Sequence, residues 1–169
     1  LKMAEIQVIE PVKRPFTKRK RVAAYARVSM ETERLQHSIS AQISRYSELI
    51  QSNPDWEYAG VYSDDGISGG GTSKRSGFKE LMEECDKGHI DIILVKSISR
   101  FARNTVDLLE SVRHLKSIGV EVRFEDEHIS TMSGDGELML TLLASFAQAE
   151  SESISANVRW ARRKKFEQG

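Results

Sequence analysis

Seven residues near the middle of the chain, Ile90-Asp91-Ile92-Ile93-Leu94-Val95-Lys96, constrain its fold more than any other segment. A strand with one face in water alternates apolar and polar side chains. This run is almost wholly apolar and rich in β-branched residues, so it fits a central strand buried on both faces. Burial on both faces requires helices above and below a sheet. The flanking sequence supplies them. Residues 21–28 and 56–63 read as strands before the central run and residues 120–124 as one after it. Between these lie helical patterns. Residues 38–52 place Ile39, Ile43, Tyr46 and Ile50 on one stripe, and residues 77–87 carry Phe78, Leu81, Met82 and Cys85. A third pattern covers residues 105–117, with Gly119 as its stop. Strands separated by helices of that length imply right-handed crossovers, hence an α/β fold with a mainly parallel sheet of four to five strands in three layers.

The last element differs in kind. Asp135 is placed to cap a helix over residues 136–166, roughly 30 residues or ~45 Å at the helical rise. Its first half is apolar nearly all round (Leu138, Met139, Leu140, Leu142, Leu143, Phe146), and its second half is polar with a basic end. Such a helix is expected to bury its apolar half in a subunit interface; the alternative is a helix packed on its own sheet and merely overlong. Residues 1–19, with Pro11 and Pro15, read as an extended arm, residues 20–134 as the core and residues 135–169 as the long helix. The chain stops within that helical pattern, as expected of a piece of a longer protein.

Charge excludes some functions and suggests others. With 25 basic and 25 acidic residues the chain has no net charge, which argues against a binder gripping through bulk positive charge. The charge is unevenly placed, however. Lys13, Arg14, Lys18, Arg19, Lys20 and Arg21 form one run without an acid, and Arg159, Arg162, Arg163, Lys164 and Lys165 form another. Each alone reads as a solvated face; the pair points to a polyanion partner. The acids gather elsewhere, as at Glu121, Glu125, Asp126 and Glu127. Cys85 is the only cysteine, which excludes an internal disulfide and a multi-cysteine metal site. No leader opens the chain and no apolar stretch is long enough to span a bilayer, so a cytoplasmic location is expected.

Several nucleotide and metal motifs fail. In the stretch from Gly66 to Arg75, Thr72 follows Gly71 where a phosphate loop needs lysine, and Lys74 sits where a dinucleotide turn needs its last glycine. That stretch reads as a loop whose freedom lets Arg75 swing toward a ligand. His37, His89, His114 and His128 have no metal-ligand spacing, and Asp64 and Asp65, just past a strand, read as turn and cap residues. No metal or other cofactor is expected.

One constellation carries chemistry. Arg27-Val28-Ser29 ends the first strand, at the sheet edge where open α/β sheets bind ligands. Arg27 and Ser29, two apart, project to the same side. A guanidinium beside a hydroxyl suits attack on a phosphodiester, because it stabilises charge building on the non-bridging oxygens. Ser97-Ile98-Ser99-Arg100-Phe101-Ala102-Arg103-Asn104 follows the buried strand at the same edge, with Arg100 and Arg103 on one face if that turn is helical. Their bland reading is solvation or pairing with Asp107 and Glu110. Arg75 adds a further guanidinium. Arginines converging on a serine, with no metal and no histidine base, narrow the chemistry to phosphoryl transfer through a serine nucleophile.

These residues resemble the catalytic domain of the serine recombinases, the resolvase and invertase superfamily, across nearly all of residues 21–160. Tyr25-Ala26-Arg27-Val28-Ser29 resembles the family's opening strand and nucleophile, and Ser38-Ile39-Ser40-Ala41-Gln42 the start of its first helix. Asp64, Ser68-Gly69 and Lys74-Arg75-Ser76-Gly77 resemble its arginine-bearing loop, and Leu94-Val95-Lys96 with Arg100 and Arg103 its strand and arginine pair. Gly136-Glu137-Leu138 and Ala147-Gln148-Ala149-Glu150 resemble its long oligomerisation helix. The run from Lys96 to Asn104 is most similar to the large serine recombinases of phages and conjugative elements, whose DNA-binding domains follow this one.

The resemblance implies a resolvase-like three-layer domain and a mechanism without cofactors. Ser29 attacks DNA to give a 5′-phosphoserine link and a free 3′-hydroxyl, which later rejoins the strands for integration, excision or transposition. Arg27, Arg75, Arg100 and Arg103 hold the phosphate, Gln42 and Asp64 orient those groups, and Tyr25 completes the site. Small resolvases often carry aspartate where this chain has Ser99, which leaves an arginine or a water as proton donor. The implied partners are double-stranded DNA, along which the second basic run tracks phosphates, and further copies of the chain, a homodimer assembling into a synaptic tetramer. Two alternatives stand beside this: a small resolvase or invertase, and a non-catalytic, flavodoxin-like domain that oligomerises through its long helix.

Overall fold

A computed structural model describes residues 17–28, 39–65 and 75–167. The elements are β1 (Lys20–Val28), α1 (Ile39–Ser52), β2 (Trp56–Asp65), α2 (Ser76–Asp86), β3 (Ile92–Val95), α3 (Ile98–Phe101), α4 (Thr105–Ser117), β4 (Glu121–Phe124), β5 (Ile129–Ser130) and α5 (Gly134–Glu167). The sheet runs β2-β1-β3-β4-β5. β1 is parallel to both β2 and β3, β3 is parallel to β4, and only β5 is antiparallel.

The central run behaves as its composition requires: every residue of β3 is buried. On one face Val22, Ala24, Ala26, Ile92 and Leu94 pack against Tyr46 and Ile50 of α1. On the other, Ala23, Tyr25, Ile93, Val95, Val122 and Phe124 meet Leu81 and Cys85 of α2, Val112 and Leu115 of α4, and Met139 and Leu140 of α5. The result is the three-layer α/β arrangement expected. Gly119 stops α4 as expected; its φ of 78° is a left-handed conformation that favours glycine.

Three local features depart from expectation. β5, two residues long, carries too little sequence signal to be seen. The expected cap of the long helix, Asp135, instead lies inside the first turn of α5, and Ser133 Oγ accepts from the Gly136 N–H at 3.2 Å. A hydroxyl two residues earlier caps as well as a carboxylate, and the helix gains a residue pair at its start. α3, a single turn, interrupts the connection after β3.

α5 has 34 residues, ~50 Å of helix. Met139 and Leu140 are buried and Leu143 and Ala144 partly so, whereas the described side chains from Ser145 onward are exposed. Leu138, Leu142 and Phe146 form a second stripe, 50–60% exposed, along a groove of about 470 Å³ shared with Glu127, His128 and Ile129. The apolar half therefore has two faces, one on its own core and one outward. No described helix is long and apolar enough to cross a membrane. Most of the expected arm, the loop from Gly66 to Lys74, and Ser29 lie outside the described residues.

Candidate active site

The site is built where β1, β2 and β3 end. Tyr25 and Arg27, two apart on β1, share the face that meets α2 and α4. Tyr25 is fully buried, so its hydroxyl must find a partner inside the protein. It donates to Asp64 Oδ2 at 2.7 Å. Asp64, at the end of β2 opposite Arg27 in register, is 8% exposed. Its carboxylate also accepts the backbone N–H groups of Gly77 (2.8 Å) and Phe78 (2.9 Å). These are two of the orphan donors of the first turn of α2, so Asp64 fixes the start of that helix to the end of β2. Gly77 permits the approach, since a Cβ there would lie 2.8 Å from the Ser63 carbonyl carbon.

That anchoring sets Arg75, the residue just before α2. Its Nε and Nη2 donate to the Tyr25 hydroxyl at 3.3 and 3.2 Å, and Nη2 donates to the Phe101 carbonyl at 2.5 Å. The guanidinium stacks 4.1 Å from the centre of the Phe78 ring. Tyr25, Phe78, Phe101 and Phe124 continue as edge-to-face pairs, with centroids 5.4, 5.3 and 5.7 Å apart. The freely swinging Arg75 expected from the glycine-rich loop is thus corrected: hydrogen bonds to β1 and α3 and the aromatic face of Phe78 hold it.

Arg27 donates through Nη2 to the Ser99 carbonyl of α3. Burial, and next the positive charges of Arg75, Arg100 and Arg103, lower its guanidinium below the usual pKa. Arg75, Arg100 and Arg103 thus each act electrostatically on Arg27. The expected single face for Arg100 and Arg103 is also corrected: α3 ends at Phe101, and Ala102 is extended (φ −129°, ψ 153°), so Arg103 lies beyond the helix. A cluster of like charges is relieved by an anion, and preorganised guanidiniums are what a phosphoryl-transfer transition state uses.

Burial pushes the Tyr25 phenol up to about 12, the bond to Asp64 adding to the rise and Arg75 opposing it. Tyr25 therefore stays a neutral donor. A raised folded pKa stabilises the fold below the unfolded value near 10, and that stabilisation is lost as pH climbs from about 10 through about 12. Urea midpoints should consequently fall more steeply above about pH 10 for the wild type than for Tyr25→Phe. Parallel curves for the two proteins would contradict this account of Tyr25.

The remaining expected residues fall elsewhere. Gln42 stands half-buried in α1, across the sheet from Tyr25, and is not a partner of Tyr25, Asp64 or Arg75 among the described contacts. Arg159, Arg162, Arg163, Lys164 and Lys165 are all exposed on the last turns of α5, where cations also complement the helix dipole. Among the described residues no group of three or more His, Cys, Asp or Glu is placed to hold a metal ion. Three participants escaped the sequence reading. Phe78, read only as helix core, is the platform under Arg75, and the Ser99 and Phe101 carbonyls are backbone acceptors that no side-chain motif reveals.

Comparison with known proteins identifies the family and the fold. Residues 22–169 match the family of the resolvase N-terminal domain. The transposon Tn3 resolvase of Escherichia coli is 32% identical over 135 residues, covering 79% of this chain and 65% of the resolvase. The chain thus spans about two thirds of that relative's length. Among solved structures, a resolvase family site-specific recombinase from Streptococcus pneumoniae superposes with a TM-score of 0.71 at 30% identity, covering 87% of this chain and 98% of that one. The N-terminal catalytic domain of TP901-1 integrase does so with a TM-score of 0.63 at 29% identity, covering 79% and 98%.

Proposed function

We propose that this chain, which belongs to the resolvase family of serine recombinases, is the catalytic unit of a site-specific DNA recombinase whose nucleophile is Ser29. The observation that supports this best is the gathering of Arg27, Arg75, Arg100 and Arg103 at the sheet edge where β1 leads into Ser29. Ser29 Oγ attacks a backbone phosphorus. The P–O3′ bond breaks, the phosphate stays on the 5′ end as a phosphoserine ester, and the 3′ oxygen leaves as a hydroxyl. Rejoining runs the same step backwards on an exchanged end, so the ester conserves the bond energy. The arginines neutralise the scissile phosphate and the charge that grows on its non-bridging oxygens. Asp64 and Tyr25 act behind them, fixing α2 and Arg75 rather than touching DNA.

Ser29→Ala should fold normally and assemble normally, yet break no strands of a supercoiled plasmid carrying the DNA that flanks the protein's gene. Normal strand breakage by that variant would assign the nucleophile elsewhere.

The partners follow from α5. Its outward stripe of Leu138, Leu142 and Phe146 is too apolar for water and is covered by a second copy of the chain, in a dimer that pairs into a tetramer on DNA. The region from residue 135 onward, which holds nearly all of α5, is therefore the oligomerisation unit, and the basic end of the helix tracks phosphates. We place this activity in the cytoplasm, as the sequence leads one to expect. Leu142→Glu should shift sedimentation toward the monomer with little change in melting temperature, since its side chain is 50% exposed in the single chain. An unchanged sedimentation profile would place the interface on another surface.

A further inference from the structure

We propose that Glu127 is a positioning residue of this site: its carboxylate holds the N-terminal end of α3, the turn that aims Arg27 and Arg75. The proposal rests on the recombinase reading above. A four-residue helix cannot sustain itself, because nucleation costs more than one turn of hydrogen bonds returns, so α3 takes its position from its tertiary contacts. Its cap residue, Ser97, has the extended geometry of a helix cap (φ −152°, ψ 163°) but makes no side-chain capping bond. Ser97 Oγ is instead paired with Ser99 Oγ at 3.0 Å. The N–H of Ile98 that a serine cap leaves unserved donates to Glu127 Oε1 at 3.1 Å, from 29 residues further along the chain.

Glu127 stands on a fixed support. Beyond β4 the backbone continues to pair with the end of β3: Glu125 N–H donates to the Val95 carbonyl at 3.0 Å, and Asp126 N–H to the Lys96 carbonyl at 2.8 Å. The turn closes with His128 N–H on the Glu125 carbonyl at 3.3 Å, His128 taking a φ of 53°. At its other end α3 is fixed by Phe101, which is fully buried between Phe78 and Phe124. The carbonyls in between serve the arginines: Ser99 accepts from Arg27, and Phe101 accepts from Arg75. Arg100 rides on the same turn. Releasing the N-terminal end of α3 therefore loosens the acceptor of Arg27 and the base of Arg100 together, while leaving the buried core intact.

The test compares wild type, Glu127→Ala and Glu127→Gln by amide exchange at Ile98 and by the initial rate of covalent protein–DNA adduct formation on supercoiled plasmid. An amide oxygen accepts the same bond as a carboxylate, so rescue by glutamine separates capping from charge. In Glu127→Ala, exchange at Ile98 should speed and adduct formation should slow, each about fivefold, the effect of losing one capping bond. Glu127→Gln should stay within about twofold of wild type on both. DNA binding should not move, and the melting temperature of Glu127→Ala should fall by no more than about 2–4 °C. An unchanged adduct rate in Glu127→Ala overturns the proposal, as does a glutamine variant as slow as alanine. If wild type itself forms no adduct, the recombinase reading fails and the positioning role falls with it, and Ile98 exchange, which needs no DNA, separately reports whether the capping bond exists.

Discussion

Asp64→Ala should lower the unfolding free energy by about 3–5 kcal/mol, the largest stability loss expected of any single change at the site. The reason is bookkeeping of donors. One buried carboxylate receives the Tyr25 hydroxyl and the N–H groups of Gly77 and Phe78. Removing it strands three donors, each costing on the order of 1–3 kcal/mol when water cannot reach it, with partial relaxation reducing the sum. The start of α2 then loses its attachment to β2, and Arg75 loses its position. Asp64→Asn should fall between alanine and wild type, since one amide oxygen can serve part of the set while the NH2 group faces an N–H. Urea denaturation of the three proteins measures this. A loss below about 1 kcal/mol in the alanine variant would mean that α2 is anchored by something else.

Among changes that keep the nucleophile, the largest effect on chemistry should come from Arg75→Lys, with strand cleavage falling about 10²- to 10³-fold while the fold survives. Lysine keeps the charge but not the shape. The planar guanidinium stacks on Phe78 while donating to Tyr25 and Phe101 in one geometry. A lysine ammonium is a flexible point charge without that fork or face. Loss of preorganisation, rather than of charge, is what the substitution isolates. DNA binding should change little, because one phosphate contact among many is conserved electrostatically. Cleavage within about tenfold of wild type would show that the charge of Arg75 suffices and its fixed orientation does not matter.

Much of this arrangement was legible in the sequence wherever a local signal was strong. The unbroken apolar run of β3 dictated a doubly covered sheet, and Gly119 marked the end of α4 because only a residue free of Cβ strain sits easily at a φ of 78°. The extent of α4, residues 105–117, was read as it stands. The convergence of arginines at one sheet edge followed from strand direction, since β1 and β3 are parallel and end at the same side. What stayed hidden has a common cause: it depends on contacts between residues distant in the chain. Asp64 read as a turn or cap residue, and nothing near it in sequence announced which helix it would cap or that both its oxygens would be taken by residues 25, 77 and 78. Arg75 next to glycines suggested freedom, and its restraint comes from Tyr25 and Phe101. Ser133 and Asp135 are equally good caps by composition, and Ser133 Oγ is held in place by donating to the Ser130 carbonyl at 2.7 Å. Gln42 was placed by resemblance alone, and its helix lies on the far face of the sheet from Tyr25.

The central claim is that Ser29 becomes covalently joined to the 5′ end of a broken DNA strand. The full natural chain, incubated in EDTA with supercoiled plasmid carrying the DNA that flanks its gene, should be quenched with denaturant, digested, and its DNA-linked peptides sequenced by mass spectrometry. The account predicts a nucleotide 5′-phosphate on Ser29 and on no other residue, formed without metal. The phosphate found on a different side chain, or strand breaks with no protein attached, would contradict it.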